Sequence, residues 1–206
     1  MDDETFERWY GPWDPLSIVE ITALLRDFAG AWWIVGGHAI EAFSGVGRAH
    51  EDSDVAMFRR DVSALRSVLV QRYQTWSVGS GLLRPLNDDH PEMHPEAGQV
   101  WIRKHALSPW VADFIVMDER DGGWVWKHDP TIAMSLQDST WLNADGVRFA
   151  RAEIVLAHKA KTLQPKDDAD FAASWPLLDE PARSWLRETV ERMYPRHPWS
   201  TTMAAP

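Results

Sequence analysis

Arg48-Ala49-His50-Glu51-Asp52-Ser53-Asp54-Val55 is the stretch on which the fold turns. A β-strand sends alternate side chains to the same face. Read as one strand, the stretch puts Arg48, His50, Asp52 and Asp54 on one side, with Val55 and Met57 on the other. Two carboxylates projecting together from a strand form a hard-oxygen site suited to Mg²⁺, which takes one or two carboxylates and completes its shell with water and substrate phosphates. Arg48 and His50 beside them add positive charge for phosphate oxygens. An arbitrary Asp-x-Asp is more often an exposed acidic turn, so the residues ahead of it carry the decision.

Those residues are Ala31-Trp32-Trp33-Ile34-Val35, then Gly36-Gly37, then His38-Ala39-Ile40-Glu41-Ala42-Phe43. A short apolar strand meets a glycine pair and then a helical stretch. Glycine lets the backbone approach a ligand closely, and a helix N-terminus offers N–H groups to a phosphate. Strand, Gly-Gly, helix and an acid-bearing strand together read as a phosphate cradle followed by a metal site.

With these residues in view, the chain resembles the nucleotidyltransferase superfamily of DNA polymerase beta, and within it the small bacterial aminoglycoside and lincosamide nucleotidyltransferases. The matching positions are Gly36, Gly37, Arg48, His50, Asp52 and Asp54. The resemblance implies a third carboxylate on a later strand, matched by Asp113 in Trp110-Val111-Ala112-Asp113-Phe114-Ile115-Val116. A further similar stretch runs from Ala152 to Lys161 and on through Lys166-Asp167-Asp168-Ala169-Asp170-Phe171, so the likeness spans roughly residues 30 to 172. Two departures stand out. His38 follows the glycines where the superfamily often has Ser and the antibiotic-modifying branch often has Trp. Residues 86 to 98 lengthen the interval between Asp54 and Asp113.

The composition narrows the alternatives. A chain of 206 residues with 45% hydrophobic content suits one domain or a compact pair of subdomains with a real core. Lys and Arg total 21 against 31 Asp and Glu, a formal charge of −10. That balance argues against broad nucleic-acid binding, which needs a basic surface, and suits a cationic acceptor. Absence of cysteine excludes disulfides, thiolate zinc sites and cysteine nucleophiles. The acidic start lacks a signal-peptide core, and no apolar run approaches the ~20 residues that span a bilayer. A cytoplasmic protein is expected.

Along the chain, Asp14-Pro15 reads as the cap and first turn of a helix through Ile18, Ile21, Leu25 and Phe28, stopped by Gly30. Asp61 is placed to cap a second helix through Val62, Leu65 and Leu69. Strands are expected over residues 73–84, 99–105, 110–117 and 124–126, with Asp121-Gly122-Gly123 a hairpin turn before the last. Residues 87–96 hold two histidines, four acids and two prolines; they read first as a mobile polar loop, and otherwise as a metal- or acceptor-binding one. Asn143-Ala144-Asp145-Gly146 is another turn. Helices are expected from residue 152 to about 163, from about 166, and over 180–193, with a frayed tail from residue 195. The expected fold is α+β, a nucleotidyltransferase-like mixed β-sheet flanked by helices. Its α/β domain takes residues 1–150, and a helical C-terminal subdomain follows over 151–206.

The chemistry expected is transfer of a nucleoside monophosphate, AMP from ATP in first place though another nucleoside triphosphate would serve, onto a hydroxyl of a small acceptor. An aminoglycoside-like cation is the leading acceptor. Such transfer needs metal ions to neutralise phosphate charge, in-line geometry, and a base for the acceptor hydroxyl. Asp52 and Asp54 are expected to hold Mg²⁺, and Asp113 to complete a second ion site or to take the proton, the role the resemblance implies. Gly36, Gly37, His38, Arg48, His50, Lys159 and Asp167 are the candidate nucleotide contacts, whereas Asp168 and Asp170 read as structural. The rival readings are a toxin–antitoxin-type nucleotidyltransferase modifying protein or tRNA, and a catalytically silent nucleotide-binding relative.

Overall fold

The computed structural model describes residues 3–79 and 81–204. In chain order the elements are α1 (Asp3–Tyr10), α2 (Ile18–Leu24), β1 (Trp32–Ile34), α3 (Gly36–Ser44), β2 (Asp54–Phe58), α4 (Val62–Leu69), β3 (Gln74–Gly79) and β4 (Leu82–Leu86). There follow β5 (Gln99–Arg103), β6 (Ala112–Met117), β7 (Glu119–Arg120), β8 (Gly123–Val125), β9 (Ala133–Met134), α5 (Leu136–Ser139), β10 (Thr140–Leu142) and β11 (Arg148–Ala150). The chain closes with α6 (Ala152–Lys159), α7 (Pro165–Ser174), α8 (Glu180–Met193) and α9 (Ser200–Met203). These elements fall into two compact units: Met1–Ile34 with Ala49–Asp138, and Val35–Arg48 with Ser139–Pro206.

The first unit is built on strands in the order β1-β2-β6-β5-β3-β4. β2 and β6 run parallel; the other pairs are antiparallel. One residue parity of the sheet carries Val55, Phe114, Val100 and Ser77 in register across β2, β6, β5 and β3, and all four are buried. That row is the apolar floor on which the opposite face stands. Ile21, Leu24, Leu25 and Phe28, spaced at three and four residues, bury the inner side of α2 and the turn after it. The cap of α2 is Ser17, not Asp14: its hydroxyl accepts from the Glu20 N–H, and the Glu20 carboxylate accepts from the Ser17 N–H at 2.9 Å. This reciprocal pair is the Ser-x-x-Glu capping box, and it outcompetes the Asp14-Pro15 signal three residues earlier. α4 stands where expected, with Asp61 at its cap position but without a capping hydrogen bond.

The run read as one strand over 73–84 is a hairpin, with β3 and β4 separated at Gly79 and Gly81. Pro85 falls on β4, at the end of the strand order, where a missing N–H costs no ladder bond. The Asp121-Gly122 turn joins β7 to β8 as expected; both residues have positive φ, 53° and 77°, the backbone of a type I′ hairpin turn. Residues 87–92 are exposed, but the far end of that loop is fastened. His94 N–H donates to Ser77 Oγ at 3.0 Å, Arg59 donates to the Ala97 carbonyl at 2.9 Å, and Ala97 is buried.

In the second unit, α6 is buried on most sides through Ala152, Ile154, Val155, Leu156 and Ala157, and it packs against α3, α7 and α8. β10 and β11 form a hairpin closed by the Asn143 turn, whose side-chain oxygen accepts from the Asp145 and Val147 N–H groups. The tail is packed rather than frayed as far as residue 204. Trp199 stacks on Phe171 at 4.3 Å and 11°, Trp199 Nε1 donates to Asp168 at 2.7 Å, and Met203 is fully buried. Large aromatics bury enough area to hold a proline-rich segment down.

Candidate active site

β2 begins only at Asp54. Residues 45–53 hold no strand, so strand alternation does not govern Arg48, His50 or Asp52, and the parallel projection expected of all four is corrected to Asp54 alone. The segment entering β2 is pinned by Ser53, which is buried and donates to the Leu16 carbonyl at 2.8 Å. Asp52, just before it, is exposed, and Asp54 is half-buried.

Asp54 stands in register with Asp113 of β6. Register partners on neighbouring strands point to the same face, with their Cβ atoms about 5 Å apart. Asp113 is opposite Trp101 of β5, and Trp101 opposite Trp76 of β3, so one row across the sheet reads Asp54, Asp113, Trp101, Trp76. The row ends in an aromatic cluster: Trp13 and Trp110 lie edge-on to Trp101 at 5.2 and 5.4 Å, and Arg103 sits 4.2 Å over Trp110 and 4.6 Å over Trp76.

Asp113 is buried at 5% exposure. Burial pushes its carboxyl well above the usual range, and the charges of Asp54 and then Asp52 push it further; Trp101 and Gln99 pull the other way without prevailing. Gln99 Nε2 donates to Asp113 Oδ2. Oδ1 is buried with no hydrogen-bond partner, and Trp101 Nε1, although it exerts that pull, forms no hydrogen bond of ordinary geometry. A buried oxygen left without a donor, beside two more carboxylates, is a costly arrangement that a cation relieves. Carboxylates are the donors a hard divalent ion requires, so the register pair Asp54 and Asp113 suits Mg²⁺ by its chemistry.

The second unit holds the remaining candidates except His50. α3 opens at Gly36, whose φ of 62° is the left-handed conformation glycine adopts freely, and Val35 supplies no side-chain cap. Gly37 and His38 follow in the first turn, and His38 is half-buried. Arg48 forks onto Asp170, Nε to Oδ1 at 3.1 Å and Nη2 to Oδ2 at 3.3 Å. Lys159 Nζ sits between Asp167 at 2.8 Å and Asp170 at 2.9 Å. Asp167 also accepts from the Gln164 N–H at 2.9 Å, closing the capping box of α7. Burial raises Asp170, but the hydrogen bonds and charges of Arg48 and Lys159 outweigh it and hold the carboxyl below its ordinary value. Two cations and two anions here satisfy one another. His50, in the first unit, is half-buried.

Gln99 and Trp101 were not among the sequence candidates. The signal available was the alternation Gln99-Val100-Trp101-Ile102-Arg103, which puts 99, 101 and 103 on one face while Val100 and Ile102 are fully buried on the other.

A mixed sheet flanked by helices, with two aspartates in register across a parallel pair, is a fold shared with solved antibiotic nucleotidyltransferases. Among solved structures the chain is similar to ANT(2")-Ia in complex with adenylyl-2"-tobramycin, at a TM-score of 0.55 and 16% identity over 85% of this chain and 95% of that one. The solution structure of the antibiotic-resistance factor ANT(2")-Ia gives a TM-score of 0.54 and 18% identity, over 86% and 90%. Lincomycin-bound LnuA, a lincosamide antibiotic adenylyltransferase, gives 0.54 and 16%, over 80% and 100%. At these identities the likeness is one of fold. No protein-family model and no curated protein sequence matches the chain.

Proposed function

We propose that this protein is a metal-dependent nucleotidyltransferase that moves AMP from ATP onto a hydroxyl of a small, cationic acceptor of the aminoglycoside kind. The observation that carries the reading is the register of Asp54 with Asp113, together with the buried, unpartnered Oδ1 of Asp113. Solved neighbours named for adenylyl-2"-tobramycin and for lincosamide adenylyl transfer support AMP as the group moved.

Asp52 and Asp54 would hold a divalent cation, with Asp113 completing a second site. Such an ion, when bound, supplies neutralisation of the triphosphate charge. The acceptor oxygen bonds to the α-phosphorus, the bond from that phosphorus to the oxygen bridging the β-phosphate breaks, and pyrophosphate leaves with the electron pair. The hydroxyl proton passes to Asp113, whose burial and acidic neighbours make its carboxyl a better base than an exposed aspartate. The nucleotide-binding roles of Gly36, Gly37, His38, Arg48, His50, Lys159 and Asp167 are proposals of the same kind. Lys159 and Asp167 are already joined to each other by an ion pair at 2.8 Å.

The test is incubation with labelled ATP, Mg²⁺ and a panel of aminoglycosides, lincosamides and neutral sugars, with pyrophosphate release as the readout. Release that depends on both Mg²⁺ and a polycationic acceptor is expected. ATP left intact across the panel would defeat the reading.

A further inference from the structure

Asp113 is flanked from two sides. β6 lies between β2, which brings Asp54 into register, and β5, which brings Gln99. A buried carboxylate that served only packing would be expected to have both oxygens paired, because each unpaired one costs free energy. Here one oxygen is paired and the other is not. Gln99 Nε2 donates to Oδ2, while Oδ1 stays buried without a partner.

Gln99 itself is held rigidly. It opens β5, opposite Ile115 on one side and Val78 on the other. The residue before it is tied to both neighbours: Gly98 N–H donates to the Val78 carbonyl at 3.0 Å, and the Gly98 carbonyl accepts from Val116 N–H at 2.8 Å. A donor fixed on a strand holds its acceptor more closely than one on a loop does.

We infer that Gln99 is a positioning residue for Asp113: its amide holds Oδ2 from the β5 side and leaves Oδ1, the oxygen without a hydrogen-bond partner, as the one a cation or acceptor hydroxyl would meet. The inference rests on the proposed nucleotidyl transfer. An Asp113 without this donor turns about its terminal torsion and presents neither oxygen consistently. Loss of the amide therefore weakens cation binding and the chemical step. It leaves the grip on ATP nearly unchanged, because Gln99 reaches the substrate only through Asp113.

The test uses Gln99→Met, close in length and shape but without a donor, with Gln99→Leu as a second variant in case the first folds poorly. Free Mn²⁺ followed by electron paramagnetic resonance gives cation affinity without turnover; steady-state kinetics give kcat and KM. A hydrogen bond to a charged group corresponds to about tenfold or more, so Mn²⁺ affinity and kcat should each fall by about tenfold or more. KM for ATP and Tm should hold close to wild type. Mn²⁺ affinity and kcat within about twofold of wild type, with Asp113→Asn inactive, would overturn the inference and leave the proposed function standing. A fall in Tm with equal losses in KM and kcat would assign Gln99 to packing and overturn it as well. Wild-type protein that neither binds Mn²⁺ nor releases pyrophosphate would overturn the proposed function, and this inference with it.

Discussion

Asp113 meets two opposed demands. Packing against β5 and the aromatic row favours a neutral carboxyl, and the proposed nucleotidyl transfer calls for an ionised one. Replacing it with Asn keeps the shape and removes both the charge and the capacity to accept a proton. Nucleotide binding should survive Asp113→Asn with modest loss, while transfer falls by about 10²-fold or more, the scale of a lost general base. Asp54→Asn should damage binding and transfer together, and calorimetry with ATP and Mg²⁺ beside a pyrophosphate assay separates the two patterns. Stability should move the other way. A group whose folded value is raised contributes stability below the ordinary aspartate value, about 3.9, and loses it as the pH climbs through the raised value. At neutral pH and with chelator present, Asp113→Asn should therefore melt higher than wild type, by about 2–4 °C for each kcal/mol relieved. The gain should vanish toward pH 4. A lower Tm for the variant at pH 7.5 would mean that Asp113 is well paired in the folded protein.

At the scale of elements, α3, α6 and α7 are tied by charge as well as by packing. Asp170 receives Arg48 from the segment after α3 and Lys159 from α6, and its side chain is 6% exposed. Asp170→Asn removes the carboxylate that Arg48 forks onto and leaves Lys159 with Asp167, a loss of about 3 kcal/mol by the standard of broken buried pairs. Because its folded value is depressed, Asp170 contributes stability above the ordinary aspartate value and loses it as the pH falls below. Urea unfolding curves of variant and wild type should stand apart at pH 7 and converge below about pH 4. Little of this cluster was legible in the chain, since Arg48 and Asp170 are 122 residues apart and no local period links them. The central strands and the three long C-terminal helices were legible, because period-2 and period-3.6 patterns report burial directly. Asp113 stood out for the same reason, as a lone acid in an apolar strand. Asp52 was placed on a strand wrongly, because alternation holds only where a strand exists and no residue between 48 and 53 marks where this one begins. Gln99 carried no motif, and its role depends on a register that only the sheet displays.

At the scale of the whole molecule, the formal charge of −10 is a property of all 206 residues and acts at long range. Charges more than a Debye length apart, about 10 Å at 0.1 M salt and about 3 Å at 1 M, hardly feel each other. A polycationic acceptor approaching this protein at low salt therefore meets an attractive field that added salt removes. Titrating an aminoglycoside into the protein with ATP and Mg²⁺ at 0.05 M and 0.5 M NaCl should show affinity falling steeply with salt, mostly through slower association. A neutral sugar should show almost no salt dependence. No helix among the described residues is long and apolar enough to cross a membrane. If neutral or anionic acceptors raise the Tm of the ATP-bound protein while polycationic sugars do not, the net charge has no part in acceptor choice. The acceptor would then have to be sought by the aromatic row that ends in Trp101 and Trp76, whose rings suit a flat, apolar group.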